Sequence, residues 1–282
     1  MSVEVYDTRT CSLGEGPLWH PERKQLFWFD INNRKMLSRS NGEPQSWQFD
    51  EYVSAAGWIG QNELLIASET GLFSFDLVTQ KRRELCELES ENSETRSNDG
   101  RADPWGGFWI GTMGKSAEPE AGAIYRFFAG KITKLYSDIT ISNSICFSPD
   151  KKYAYFTDTV SRKILRQPLD AEGWPAGESE LFVDLRVEGL NPDGSVVDSD
   201  GCLWNAQWGA SRVARYSPNG EFLSAITLPS QQATCPAFGG DNLKTLFVTS
   251  ASEGLSAPSD AQGKTFQVPL SAFGQPENQV KL

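Results

Sequence analysis

The sequence predicts an all-β fold, a six-bladed β-propeller with four-stranded blades around a central channel, from three observations. An aromatic-rich run returns six times, tight-turn residues stand before most of its copies, and no long amphipathic helix interrupts the series. The runs are "LFWFD" at 26–30, "LLIAS" at 64–68, "FWIGT" at 108–112, "YAYFTDT" at 153–159, "CLWNA" at 202–206 and "TLFVTS" at 245–250. Centred on Trp28, Leu65, Trp109, Tyr155, Trp204 and Phe247, they are 37, 44, 46, 49 and 43 residues apart. Segments such as "HPERKQ", "GQNE", "SPDKKY" and "DSDGC" precede them and read as hairpin connections. A further strand candidate follows most runs, as in "RKMLSRS", "TGLFSFD", "GAIYRFF" and "SRVARYS". A four-stranded unit cannot bury both faces alone, so the units stack around an axis. The early "VEVY" supplies the outermost strand of the last blade and closes the ring. "KRRELCELESENSET", the most helix-like stretch, reads instead as an exposed strand end and a solvated loop. One propeller domain over residues 1–282 is expected.

Composition narrows the function. A net charge of −11 argues against nucleic acid or an anionic membrane as the main partner. No run of eighteen apolar residues is present, and "MSVEVYDTRTCSLG" has neither the basic nor the apolar region of a signal peptide. Five cysteines, at 11, 86, 146, 202 and 235, are odd in number and widely spaced, with no C-x-x-C. That pattern suits free thiols in a reducing compartment, so a cytoplasmic location is expected, and the acidic surface suggests a monomer. The single histidine, His20 in "LWHPERK", reads as an exposed turn residue, and a Ser-His-Asp or Cys-His site would depend on it alone. No P-loop or G-x-G-x-x-G occurs.

The first strand of each blade lines a propeller's channel, so the starts of the units converge. They read "LGEGPLW" (Glu15), "NDGRADP" (Asn98, Asp99), "ISNSICFSPD" (Asn143) and "NPDGSVVDSDG" (Asp193). Four of six units thus bring an acid or amide to equivalent positions. Converging oxygens without a partner repel one another or stay desolvated, a penalty that a divalent cation removes. Oxygen-only ligation suits Ca²⁺, Mg²⁺ or Mn²⁺, with Zn²⁺ less favoured without His or Cys. Each residue also has a plain reading: Glu15 in a tight turn, Asn143 capping a turn, Asp193 in Pro-Asp-Gly. Asp99 is expected to orient its loop, and Trp105, Trp109 and Trp204 to pack between blades. Trp208 is a pocket-wall candidate, and 250–263 a surface loop or lid edge.

"SLGEGPLW", "TRSNDGRADPWGGFWIGTM", "ISNSICFSPD" and "NPDGSVVDSDGCLW", in this order and spacing, resemble the gluconolactonase and regucalcin (senescence marker protein) family over Cys11 to Val268. The resemblance implies six blades, one divalent cation in the channel and hydrolysis of a sugar-acid lactone. It places the metal ligands on Glu15, Asn143 and Asp193, and substrate contacts on Arg96 and Asn98. Two departures stand out. Lys115 and Ser116 follow "GTM" where some members carry a substrate-touching acid, with Glu118 and Glu120 slightly later, and Ser144 replaces a glycine common after the asparagine.

A lactone is an activated ester and needs no covalent nucleophile. A metal can polarise its carbonyl, with Asp193 the expected general base, Arg96 gripping a carboxylate or hydroxyl and Asn98 reading hydroxyls. An aldarate lactone would present a free carboxylate to Arg96. The alternatives are a calcium- or ligand-binding propeller without turnover, and a metal-dependent hydrolase of other activated esters such as phosphotriesters.

Overall fold

The computed structural model describes residues 2–282. It contains six antiparallel sheets of four strands each, and helix is confined to one 3₁₀ turn, Thr159–Ser161. The innermost strands are Gly14–His20, Val53–Gly60, Thr95–Ala102, Ser142–Phe147, Asn191–Val197 and Gln232–Gly239, which define blades 1 to 6 in that order. Each packs against the next, and the sixth returns to the first, so the ring is closed. Glu4–Asp7 pairs with Thr265–Pro269 as the outermost strand of blade 6, the closure expected from "VEVY".

All six aromatic-rich runs fall on the second strand of their blades. There they supply the inter-blade core: Phe27, Trp28, Phe29, Phe108 and Trp109 are essentially without exposure. Fully burying one such side chain stabilises by about 1.5–3 kcal/mol. "KRRELC" forms the exposed fourth strand of blade 2, Arg82–Glu87, as its charges require.

Every innermost strand breaks register with its neighbour near its start, between Glu15 and Leu18, Val53 and Ala55, Ser97 and Gly100, Asn143 and Cys146, Pro192 and Ser195, and Ala233 and Pro236. A bulge bends a strand and re-aims its side chains. Six bulges at one level therefore make a polar collar at one end of the channel. Blade-to-blade hydrogen bonds bind it: Ser54 Oγ to Ser97 Oγ (2.7 Å), Ile145 N to Asp99 Oδ2 (2.7 Å), Ser144 Oγ to the Asp193 carbonyl (2.6 Å) and Thr234 Oγ1 to the Gly14 carbonyl (2.5 Å).

The opposite end is strapped by the C-terminal segment 271–282. Gln275 Nε2 donates to the carbonyls of Phe147 and Val197, and Trp58 Nε1 to that of Glu277. Val280 N and Lys281 N donate to the carbonyls of Trp58 and Gly106, and Val280 itself is buried. Glu277 reaches the channel to pair with Arg101 at 2.5 Å. The channel thus opens toward the collar.

One expectation is corrected. His20 is fully buried rather than an exposed turn residue. Its Nε2 lies 3.0 Å from the Gly60 carbonyl of the next blade, Nδ1 accepts from Arg23 N, and burial pushes its pKa down. The imidazole is a blade-to-blade spacer in contact with Trp58. All five cysteines are free. Among the described residues no helix is long and apolar enough to cross a membrane.

Candidate active site

The collar floors a cavity of about 610 Å³, and Glu15, Arg96, Asn98, Asn143 and Asp193 all line it. All five are buried, the mouth being formed by more exposed groups, among them Lys115, Arg162 and Glu253. Glu15 owes its place to its flanking glycines. Gly16 sits at φ +55°, and a Cβ there would come within 2.2 Å of the Ser54 carbonyl oxygen; one on Gly14 would meet the Ser250 carbonyl oxygen at 2.5 Å. Two neighbouring backbones thus approach the strand where only glycine fits, and the bulge turns the carboxylate inward. Gly194 plays the same part beside Asp193, against Cys235.

Glu15 and Asp193 line the same cavity, close enough for the charge of Glu15 to act on Asp193. Burial, then the Asp99 charge, pushes the Glu15 carboxyl up to about 8, and burial with the Glu15 charge raises Asp193. Asn143 is locked beside them. Its Nδ2 donates to Thr159 Oγ1 (2.9 Å), and its Oδ1 accepts from Asn98 Nδ2 (3.3 Å) with one lone pair left over. Asn98 Nδ2 also donates to the Ser142 carbonyl, and its Oδ1 accepts from Arg96 Nη1 at 2.8 Å. Among the described residues Arg96 has no carboxylate at ion-pair distance; burial lowers its pKa, while the Glu15 and Glu253 charges oppose that shift. Asp99 Oδ2 accepts from Ile145 N on the innermost strand of the next blade.

A protein-family profile described as the SMP-30/Gluconolactonase/LRE-like region matches residues 13–252. The chain belongs to that family. A 6-deoxy-6-sulfogluconolactonase of Pseudomonas putida is 36% identical over 248 residues, covering 87% of this chain and 85% of that protein. A pentonolactonase of Haloferax volcanii is 33% identical over 291 residues, covering 98% and 96%. The crystal structure of a regucalcin from Agrobacterium tumefaciens, described as a calcium-binding protein, superposes with a TM-score of 0.96 at 40% identity, covering 100% and 98%. Lactone hydrolysis is thus the activity named among relatives.

The donor set can be tested against the divalent cation that the resemblance implies. Two buried carboxyl groups that share one cavity with an amide oxygen suit a hard divalent ion, which would supply the positive charge the pair lacks. Among the described residues no three His, Cys, Asp or Glu side chains gather in one cluster.

A pH dependence follows. A carboxyl whose folded pKa exceeds its unfolded value contributes stability that is complete below the unfolded pKa and lost as pH rises through the folded one. With Glu15 moved from 4.5 to about 8, cation-free protein should lose roughly 2–5 kcal/mol between those pH values. Calorimetric melts from pH 4.5 to 8 with chelator, and again with added Ca²⁺, check this: the decline should flatten in the cation. A melting temperature indifferent to both pH and cation would remove the case for a charged floor.

Family departures take a definite form in this family member. Lys115 is tied to Glu69 (2.5 Å), to the Ser93 carbonyl (2.9 Å) and over the Tyr52 ring, so no acid stands at that point of the wall. Glu118 curls back to accept from Ser116 N, and neither it nor Glu120 lines the cavity. Ser144 holds φ +62° and offsets that cost by donating to the Asp193 carbonyl and accepting from Ser195 and Asn205. Trp208 lines the cavity, as expected. Sequence reasoning missed Thr159, Arg162, Asn191 and Glu253, which also line it. For Glu253, its place in the polar 250–263 segment was the available signal.

Proposed function

We propose that the protein hydrolyses a sugar-acid lactone to the open-chain acid, with one divalent cation (Ca²⁺, Mg²⁺, Mn²⁺ or Zn²⁺) held by Glu15, Asn143 and Asp193. The supporting observation is that the buried Glu15, Asn143 and Asp193 side chains line one cavity, in a chain of this family. When bound, the cation polarises the lactone carbonyl and favours the ionised carboxylates.

The chain's own groups do the rest. Asp193 takes a proton from the water that attacks the carbonyl, and its main chain is held against recoil by Ser144 and Asn205. Arg96 offers guanidinium N–H groups to substrate oxygens, its fork fixed through Asn98 and the Ser97 carbonyl. Asn98 keeps an acceptor lone pair for a hydroxyl. Met113, Ile141 and Leu13 supply apolar wall against the sugar ring. Relatives named for a sulfogluconolactone and a pentonolactone indicate that the family admits both hexose- and pentose-derived rings.

The test is lactone hydrolysis by chelated protein, across aldono- and aldarolactones, with each cation added back. Turnover restored by a cation supports the reading. Cation binding without turnover of any lactone above background leaves a calcium-binding propeller in its place.

A further inference from the structure

Arg162 follows the 3₁₀ turn in the loop between the second and third strands of blade 4, at the cavity mouth. Three anchors hold it. Its N–H donates to the Thr159 carbonyl (3.1 Å), its carbonyl accepts from Leu185 N (2.8 Å), and its Nε donates to Asn191 Oδ1 (3.1 Å). Asn191 begins the innermost strand of blade 5, two residues before Asp193. Neither Nη atom has a protein acceptor within hydrogen-bond distance among the described residues, and no carboxylate lies within ion-pair distance. The stem is fixed while the charged fork is left open beside the cavity.

The other cations of the cavity are already engaged. Lys115 is neutralised by Glu69, and Arg96 lies in the field of Glu15 and Glu253 with its Nη1 committed to Ser97 and Asn98. The mouth is therefore polarised, with an open guanidinium on the blade 4 side and the exposed Glu253 on the blade 6 side. A hydroxyl can accept from such a fork without answering its charge, whereas two oxygens of one anionic group match both its charge and its spacing. We propose that the substrate lactone carries a terminal anionic group (carboxylate, sulfonate or phosphate) and that Arg162 selects for it. The proposal rests on the lactonase reading of the floor, and it moves recognition of the charge from Arg96 to Arg162.

The test compares kcat/KM for gluconolactone with its 6-carboxylate, 6-sulfonate and 6-phosphate counterparts, in the cation that supports turnover. Wild-type protein should prefer at least one charged lactone, and the three arms identify which anion. In Arg162→Met the charged-to-neutral ratio should fall about 10–100-fold, as for a lost charge-assisted hydrogen bond, with Arg162→Lys intermediate. Calorimetric binding of hexitol against hexitol 6-phosphate, to wild type and Arg162→Met, reads the subsite independently of turnover. Arg162-dependent preference for the phosphate, with every lactone inert, supports the anion subsite while overturning the lactonase reading. Hydrolysis of neutral and charged lactones with the same efficiency, or an unchanged ratio in correctly folded Arg162→Met, overturns the proposal and leaves the lactonase reading in place.

Discussion

Asp193→Asn is expected to lower kcat for lactone hydrolysis by about 10²–10⁴-fold, the usual contribution of a positioned general base. The replacement preserves shape and removes a charge. It should fold, because the strand is anchored through main-chain groups: the Asp193 carbonyl accepts from Ser144 Oγ at 2.6 Å and Asn205 Nδ2 at 3.0 Å. Neither bond involves the carboxylate. Removing one of two buried like charges should also make cation-free protein no less stable than wild type at pH 8, while diminishing the stabilisation that added cation brings. Stopped assays for kcat and calorimetric melts with and without cation check the two halves together. Turnover within about threefold of wild type would show that another group takes the proton. A collapse of the melting temperature would mean instead that the carboxylate holds the blade.

Glu277→Ala is expected to cost about 3–5 kcal/mol, the range for removing one partner of a buried ion pair. The side chains of Arg101 and Glu277 are only 11% and 7% exposed at the strapped end of the channel. Burial by itself pulls the Arg101 pKa down, and the Glu277 charge outweighs it to hold the guanidinium ionised. Without Glu277 a cation is left in the channel with no partner. For a chain of this size the melting temperature should fall by about 10 °C. The double variant Arg101→Met with Glu277→Met should recover most of the loss, since no buried charge is then stranded. Thermal melts of Glu277→Ala, and of Arg101→Met, Glu277→Met and their double variant as a closed cycle, check this. A Glu277→Ala melting temperature within 2–3 °C of wild type would mean that the hydrogen bonds of the strap, rather than the ion pair, seal the channel.

The fold was legible because its signal is local and repeated. Trp28, Trp109 and Trp204 recur at blade spacing since each blade needs the same buried second strand, and the turns before them are short. The convergence of Glu15, Asn143 and Asp193 was legible for the same reason, each opening the innermost strand of its blade. His20 was misread because its neighbours Pro21 and Glu22 have turn chemistry, whereas its surroundings come from Gly60 and Trp58, forty residues away. Lys115 could be named from its place after "GTM", but its pairing with Glu69 joins loops of different blades.

By itself, then, the sequence determined the six-fold strand plan, the polar side chains at the blade starts and the family. Periodicity and glycine placement are properties of short segments, and a ring of repeats brings equivalent positions together whatever the loops do. Only the tertiary structure decided that bulges turn those side chains onto one floor, that the last twelve residues close the channel's other end, and that Arg162 rather than Lys115 carries the open charge at the mouth. Each depends on which distant group fills a hydrogen bond or neutralises a charge, and contacts of that kind exist only once the blades have closed around the channel.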